Sequence, residues 1–147
     1  MPTLSETRVE NTQIVRPNHA NNYNTAHGGN VVKWMDDAGV ISATRFSGEP
    51  CVTASIGKTS FHSPLQVGDA AVVRSYVYKT GETSMKVHVK VFSESLRNGE
   101  RELTSVARFI YVAVNDNGKP TTVPDLEVET DEEEEMRQEA IDEEKSD

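Results

Sequence analysis

Two glycines and two carboxylates lie close together in HGGNVVKWMDDAG, residues 27–39, and these residue types could do acid–base or nucleophilic chemistry. The first amides of a helix lack partners within it and carry partial positive charge, so they can hold an anion or a developing oxyanion. Gly28 and Gly29 leave room for such an approach, although a glycine pair can also serve only loop geometry. For Asp36 a catalytic and a structural interpretation both stay open, whereas for Asp37 we favour a solvated charge on the helix surface.

The separation of these groups along the chain constrains how they could act together. Asp36 lies seven residues beyond Gly29, which is about 10 Å along a helix axis. Both groups cannot reach one carbonyl at that distance. If two copies of the helix lie antiparallel across a two-fold axis, Asp36 of one chain can approach the Gly29 amide of the other. The chemistry then requires a dimer.

One long helix and several strands must position these residues. The helix is predicted from near His27 to the breakers Gly48 and Pro50. Its apolar face follows the three-to-four spacing of Val31, Trp34, Met35, Ala38, Ile41 and Ser42. The Asn-rich stretch before it, residues 16–29, has loop composition, and a first strand is predicted over 8–15.

The chain after the helix has the alternating pattern of strands. The predicted strand segments are 51–61, 70–79, 84–92 and 103–114. The Gly-containing or Asn-Gly turns KTGET, RNGE and NDNGKP join or follow them, so consecutive strands are expected to pair antiparallel. One helix followed by an antiparallel meander indicates an α+β fold, and a sheet that curls around the helix would bury it best.

The negative charge is concentrated at one end. The 147 residues have a net charge of −9, yet residues 127–147 alone hold 12 acidic and 2 basic side chains. We therefore predict one domain over 1–126 and an acidic tail over 127–147. A solvated or disordered tail is favoured, with a surface helix as the alternative if a neighbouring basic face relieves the repulsion. Such an acidic end argues against a nucleic-acid partner.

Other composition signals narrow the protein class. No apolar run approaches the ~20 residues that cross a bilayer, and the N-terminal segment lacks the pattern of a signal peptide, so we expect a soluble cytoplasmic protein without a membrane partner. Cys51 has no partner for a disulfide and is interpreted as a small core residue. It shows no metal-ligand spacing with the four histidines, so we expect no metal.

Four stretches together resemble the acyl-CoA thioester hydrolases of the hotdog fold, in particular the brain-type and bacterial short-to-medium-chain acyl-CoA thioesterases. These stretches are residues 16–46, 52–69, 80–89 and 107–124. The resemblance implies a long central helix wrapped by an antiparallel sheet, homodimers that join their sheets edge to edge, and often hexamers built as trimers of dimers. It also implies hydrolysis of acyl-CoA to a free acid and coenzyme A, with no separate cofactor.

The resemblance also implies roles for individual residues. The catalytic Asn of the family matches Asn21, and its helix Asp matches Asp36, with the two contributed by different protomers. The Gly29 amide would stabilise the oxyanion. Two departures are present, since NYNTA stands where Gly-Asn is common and Asp37 stands where Glu is usual. The first departure bears on the conformation of the Asn21 loop.

By the same resemblance, the pantetheine arm of coenzyme A runs between the helix and the following strand. Gly28 and Phe61 are candidate contacts there, and the turn with Gly81, Thr83 and Ser84 is a candidate for the phosphates. An ordinary hairpin turn is the equal alternative. Basic candidates for phosphate neutralisation, each also open to simple solvation, are Arg45, Lys58, Lys86, Lys90 and Arg108.

Two other functions fit the same scaffold. Hotdog dehydratases and hydratases need a catalytic His paired with an acid, in motifs that the sequence lacks. A non-catalytic acyl-CoA sensor could use the same cavity, but retention of both Asn21 and Asp36 disfavours it. Hydrolysis is therefore the expected function.

Overall fold

The computed structural model describes residues 2–146 as one long helix wrapped by a curved sheet, with a second helix on the outside. Short 3-10 turns occupy Ser5–Thr7 and Pro17–His19. In chain order the main elements are β1 (Val9–Ile14), α1 (Gly28–Ser47), β2 (Cys51–Ile56), β3 (Ser60–Phe61), β4 (Ala70–Thr80), β5 (Ser84–Glu94), β6 (Arg101–Ala113) and α2 (Asp131–Lys145). The predicted α+β class is confirmed.

Helix α1 has the bounds that its sequence predicts, and five of the six residues predicted for its apolar face are buried, whereas Ile41 is half-buried. His27 is the N-cap, and Gly48 ends the helix in the left-handed conformation with φ of 70°. The residues buried along it are Val31, Trp34, Met35, Ala38, Gly39, Ser42, Ala43 and Phe46. This stripe packs on the inner face of the sheet, so α1 is held along its whole length.

The sheet has the order β1-β4-β5-β6-β2, and β3 also pairs with β6. The predicted hairpins β4–β5 and β5–β6 are confirmed. The expected simple meander is wrong for β2, which pairs with β6 at the far edge and not with its neighbour in sequence, β4. Between β2 and β4, the short strand β3 also pairs with β6. The chain then crosses to β4, which lies on the far side of β5. The third predicted turn, NDNGKP, reverses the chain after β6, and Val114 and Pro120 then form an isolated β-bridge.

Buried hydroxyls fix α1 against β4. Ser75 Oγ lies 3.0 Å from the Ala38 carbonyl and 2.6 Å from Ser42 Oγ, and Ser42 donates to the Thr7 carbonyl at 2.7 Å. Both serines are fully or almost fully buried. Because buried polar groups are expensive to leave unpaired, this cluster sets where the helix sits along β4.

The acidic segment forms helix α2, which is the alternative to the favoured disordered tail. A capping box between Thr130 and Glu133 starts it. It lies on the outer face of the sheet, where Leu4, Tyr76, Tyr78 and Ala140 form a small apolar cluster. Acidic side chains of α2 also pair with a basic stripe on β5, namely Lys86 with Glu144, His88 with Glu143 and Lys90 with Glu139. This basic face relieves the repulsion; the domain boundary at residue 126 stays a prediction.

Neither of these helices, nor any other helix within residues 2–146, is long and apolar enough to cross a membrane.

Candidate active site

Asp36 lies two turns into α1 and reaches toward the edge strand β2. Its Oδ1 atom accepts a hydrogen bond from Thr53 Oγ1 at 2.8 Å and another from the Tyr111 hydroxyl at 2.8 Å. The side chain is half-buried, whereas Asp37 is exposed, as the sequence predicts. No hydrogen bond from the described residues reaches Oδ2 of Asp36, so this oxygen is available to a water molecule or a substrate.

Tyr111 can only be a hydrogen-bond donor to this carboxylate. Burial, reinforced by the hydrogen bond to Asp36, raises the pKa of the Tyr111 hydroxyl far above its ordinary value. The hydroxyl therefore keeps its proton under all physiological conditions. Tyr111 itself is fully buried and its ring stacks on Phe109.

The start of α1 is an open amide surface. No side chain caps the helix at His27, and the hydrogen bonds of residues 2–146 leave the amides of Gly28, Gly29 and Asn30 without an acceptor. A Cβ added to Gly29 would meet nothing within 4 Å, so the side-chain position of this residue is open. Unpaired amides at a helix start favour a negatively charged or developing oxyanion.

A cleft of about 360 Å³ adjoins this helix start. Gly28 and Phe61 both line it, and a Cβ on Gly28 would lie 3.5 Å from the Phe61 ring. Phe61 is 52% exposed although it is a large apolar residue. The two residues proposed to contact the pantetheine arm thus face the same space.

Asn21 belongs to the loop beside the cleft and is hydrogen-bonded within that loop. Its Oδ1 accepts from the amide of Tyr23 at 2.9 Å, and its Nδ2 donates to Thr25 Oγ1 at 2.9 Å. Asn24 takes the left-handed conformation with φ of 61°, which asparagine tolerates. The unusual NYNTA sequence therefore forms a tight loop, with Thr25 lining the cleft.

Within one chain, the predicted site residues fall into three separate places. Asn21, Gly28, Gly29 and Phe61 lie near the start of α1, and Asp36 lies about 10 Å further along the helix. On β6, Phe61 pairs with Ser105 but Ser84 pairs with Val112, which puts the 81–84 turn about 23 Å away along the strand. One protomer therefore does not bring all of these residues together.

The 81–84 turn has the features of an ordinary tight hairpin. The Gly81 amide donates to the Ser84 carbonyl at 2.9 Å, and a Cβ on Gly81 would come within 2.8 Å of Ser84 Oγ. Of the predicted phosphate-neutralising residues, Lys86 and Lys90 pair with acidic groups of α2. The roles of Gly81, Thr83 and Ser84 in coenzyme A binding stay predictions.

Sequence reasoning missed Thr53 and Tyr111. Thr53 is one polar residue in an alternating strand, and Tyr111 has the pattern of a core residue. The available signal was Gly39, an isolated glycine inside a helical pattern, which is unfavourable there unless packing requires it. In the described chain, no cluster of three or more His, Cys, Asp or Glu side chains is arranged to hold a metal ion.

Comparison with known proteins identifies relatives over most of the chain. The family model described as Thioesterase superfamily matches residues 23–100. The Bacillus subtilis protein named "Uncharacterized acyl-CoA thioester hydrolase YkhA" is 41% identical over 128 residues, which cover 87% of this chain and 74% of that protein. An acyl-CoA hydrolase structure from Bacillus cereus is 37% identical, with a TM-score of 0.89 over 98% of this chain and 88% of that one. An apo-hexameric acyl-CoA thioesterase is 35% identical, with a TM-score of 0.88 over 98% and 92% of the two chains.

An acyl-CoA hydrolase from Staphylococcus aureus, solved with butyryl coenzyme A and coenzyme A, is 27% identical, with a TM-score of 0.87 over 98% of this chain and 90% of that one. Three further structures of that protein are alanine variants of an asparagine, an aspartate and a threonine. Asn21, Asp36 and Thr53 have the same order and the same spacing along this chain. Thr53 thereby joins Asn21 and Asp36 as a candidate for the chemistry.

The curled antiparallel sheet around a central helix matches that of these neighbours, as the sequence resemblance implies. The chain has the hotdog fold and belongs to the Thioesterase superfamily, and it is similar to proteins named acyl-CoA thioester hydrolase.

Proposed function

We propose that this protein hydrolyses acyl-CoA thioesters to a free carboxylic acid and coenzyme A. The observation that carries the proposal is the Asp36 carboxylate, which two hydroxyls hold through Oδ1 while Oδ2 accepts no hydrogen bond from the described residues. A carboxylate with one oxygen fixed and one available suits either proton abstraction or direct attack. The names of the relatives support acyl-CoA as the substrate class.

In the proposed mechanism, the thioester oxygen points at the Gly29 amide of one protomer. The positive end of α1 then stabilises the negative charge that develops on this oxygen. Asp36 of the partner subunit takes a proton from water as the water oxygen attacks the carbonyl carbon. The tetrahedral intermediate collapses, the carbon–sulfur bond breaks, and the coenzyme A thiolate leaves and takes up a proton. In the alternative route, Asp36 attacks directly and water hydrolyses the resulting anhydride.

Asn21 is proposed to orient the water or the carbonyl. Its Nδ2 group carries two hydrogens, and Thr25 accepts only one of them within the loop. The second hydrogen can donate to a substrate. Gly28 and Phe61 would contact the pantetheine arm in the cleft, and the 81–84 turn would contribute phosphate contacts from a position distant in the same chain.

The minimal active unit is proposed to be a homodimer that joins β2 to β2 of a second copy. β2 is an edge strand with nearly all its residues exposed, including Val52 at 51% and Ile56 at 46%. An unpaired apolar edge favours pairing with another strand. Since Asp36 is hydrogen-bonded to Thr53 on this same strand, the dimer would bring the carboxylate to the interface. A hexamer, as in the apo-hexameric relative, is proposed as the larger assembly.

The test is thiol release from a series of acyl-CoA chain lengths, followed with dithionitrobenzoate. We expect Asp36→Ala to lose at least a hundredfold in kcat while keeping its oligomeric state, because it removes the group that activates water. Asp37→Ala is the matched control, since Asp37 is the neighbouring exposed carboxylate, and it should retain wild-type turnover. Near-normal turnover in Asp36→Ala would refute the assignment, and saturable binding without turnover in the wild type would instead indicate a sensor.

The same substrate can separate the two routes. In a single turnover in water labelled with oxygen-18, attack of water on the Asp36 carbon of the anhydride passes an unlabelled Asp36 oxygen to the acid product and leaves the label on the enzyme. The general-base route puts the label directly into the product. Label on the enzyme identifies Asp36 as the nucleophile, whereas label in the product alone excludes an anhydride that water opens at the Asp36 carbon.

A further inference from the structure

We propose that Tyr111, seated against Gly39, is a positioning residue that fixes which oxygen of Asp36 faces the substrate. This inference rests on the proposed role of Asp36 in hydrolysis. The Tyr111 hydroxyl lies 2.8 Å from Asp36 Oδ1 and 3.1 Å from the backbone carbonyl oxygen of the same residue. Its single proton goes to the carboxylate, because this contact is the shorter one and its acceptor is charged.

Gly39 explains how a bulky ring can come so close to the helix. A Cβ on Gly39 would lie 2.3 Å from the Tyr111 hydroxyl oxygen and 3.0 Å from two ring carbons. No alanine fits there unless Tyr111 moves. Glycine in a helix interior is less favourable than alanine, and Gly39 is in the middle of α1. Glycine is required at position 39 because Tyr111 packs closely against the turn of α1 that contains Asp36.

The ring has little freedom to turn away. Tyr111 is fully buried on β6, and its ring stacks on Phe109 with 6.1 Å between the centroids. Thr53, which donates to the same Oδ1 atom, is on the exposed edge strand instead. The buried donor therefore supplies the rigid restraint. With Oδ1 held, rotation of the carboxylate about its last bond is blocked and Oδ2 stays directed toward the substrate.

The experiment compares Tyr111→Phe with Tyr76→Phe in the full chain, with butyryl-CoA as substrate. Tyr76 is a matched control, because its hydroxyl donates to the Met136 carbonyl on the outer face of the sheet, away from Asp36. We expect kcat of Tyr111→Phe to fall about tenfold with KM within twofold, since one hydrogen bond to a charged group is lost. Tyr76→Phe should keep the wild-type kcat and KM.

Gly39→Ala provides a second route to the same effect without removing the hydroxyl. The new methyl group displaces Tyr111, so we expect a similar fall in kcat. The double variant Gly39→Ala/Tyr111→Phe should be no slower than the slower single variant, because both changes act through one contact. Thermal melting of each variant checks that the fold is retained.

Three results would overturn the inference. A wild-type kcat in Tyr111→Phe would do so, as would an equal fall in Tyr76→Phe or additive effects of the Gly39 and Tyr111 changes. Failure of the proposed function is seen separately, in Asp36→Ala alone. An active Asp36→Ala would remove the basis for both proposals, whereas an inactive Asp36→Ala with an unaffected Tyr111→Phe would remove only this one.

Discussion

Thr53 and Tyr111 donate hydrogen bonds to the same oxygen of Asp36, although one donor is exposed and the other is buried. Tyr111 reaches it from the buried core, and Thr53 reaches it from an exposed edge strand. The charge of Asp36 is thus kept hydrogen-bonded in a half-buried position. A charged acceptor makes each of these bonds stronger than one between neutral groups. The orientation of one carboxylate therefore depends on residues from α1, β2 and β6.

Replacement of Thr53 by Val should lower kcat about tenfold. Valine has nearly the same shape but no hydroxyl, so Oδ1 of Asp36 loses one donor. Thr53→Ser keeps the hydroxyl and should retain most of the wild-type rate. Steady-state thiol release for both variants tests this. Equal losses in Val and Ser variants would mean that packing, and not the hydrogen bond, determines the effect.

Some site residues are predictable from the sequence and others are not. Asp36 and Gly29 can be found because a carboxylate in a helix and a glycine at its start are local features of one segment. Thr53 and Tyr111 cannot be found in this way, because their contacts depend on the register that places Thr53 opposite Tyr111 on β6. That register is set by strand pairing between distant segments.

Helix α2 shows how an element with strong internal repulsion can still form. Its acidic side chains face Lys86, His88 and Lys90, which alternate along the outer face of β5. The hydrogen bond from His88 lowers the pKa of Glu143, and that from Lys86 lowers the pKa of Glu144. Packing of α2 on the sheet therefore favours the ionised carboxylates of Glu143 and Glu144. At its start, Glu133 accepts hydrogen bonds from three backbone amides, two local and one from Ser5.

Replacement of Glu133 by Gln should destabilise the protein in a pH-dependent manner. The Ser5 amide and the other backbone donors lower the pKa of Glu133 to about 2, from an ordinary value of 4.5. Because the folded pKa is the lower one, the stabilisation is complete above about pH 4.5 and is lost as the pH falls toward 2. We expect Glu133→Gln to reduce the free energy of unfolding by about 1–2 kcal/mol at pH 7. Urea unfolding at pH 7, 4 and 3 should show this difference shrinking with the pH.

The control for this change is Glu135→Gln, two residues along the same helix. Glu135 is exposed, so its replacement should leave the unfolding midpoint almost unchanged at every pH. A constant difference between wild type and Glu133→Gln across these pH values would contradict the assignment of the effect to the ionised carboxylate.

Elements with local signals are the ones that the sequence predicts well. Helix α1 and the hairpins β4–β5 and β5–β6 follow from periodicity and from turn residues close by. The position of β2 does not, because nothing in residues 51–61 indicates that β6, about 50 residues later, is its partner. Whether the acidic segment forms helix α2 also depends on a distant feature, the basic stripe of β5.

In the whole molecule, one chain presents the two halves of the proposed site at separate places. The open helix start with Asn21 and Gly29 is separated from Asp36 by two turns of α1. The edge strand β2, whose Thr53 donates to Asp36, is exposed. Val52 and Ile56 leave apolar surface on that strand. A two-fold axis at β2 would complete the sheet and would also pair each helix start with the carboxylate of the other chain. Catalysis would then require assembly of the dimer.

If two protomers share each reaction centre, subunit complementation should restore activity to a mixture of inactive variants. Asp36→Ala and Asn21→Ala homo-oligomers are each expected to be nearly inactive. When the two are unfolded together and refolded as an equal mixture, half of the dimers are mixed, and each mixed dimer holds one site with both an intact Asn21 and an intact Asp36. We therefore expect recovery of about a quarter of the wild-type activity. No recovery, although native mass spectrometry shows that mixed dimers have formed, would contradict it.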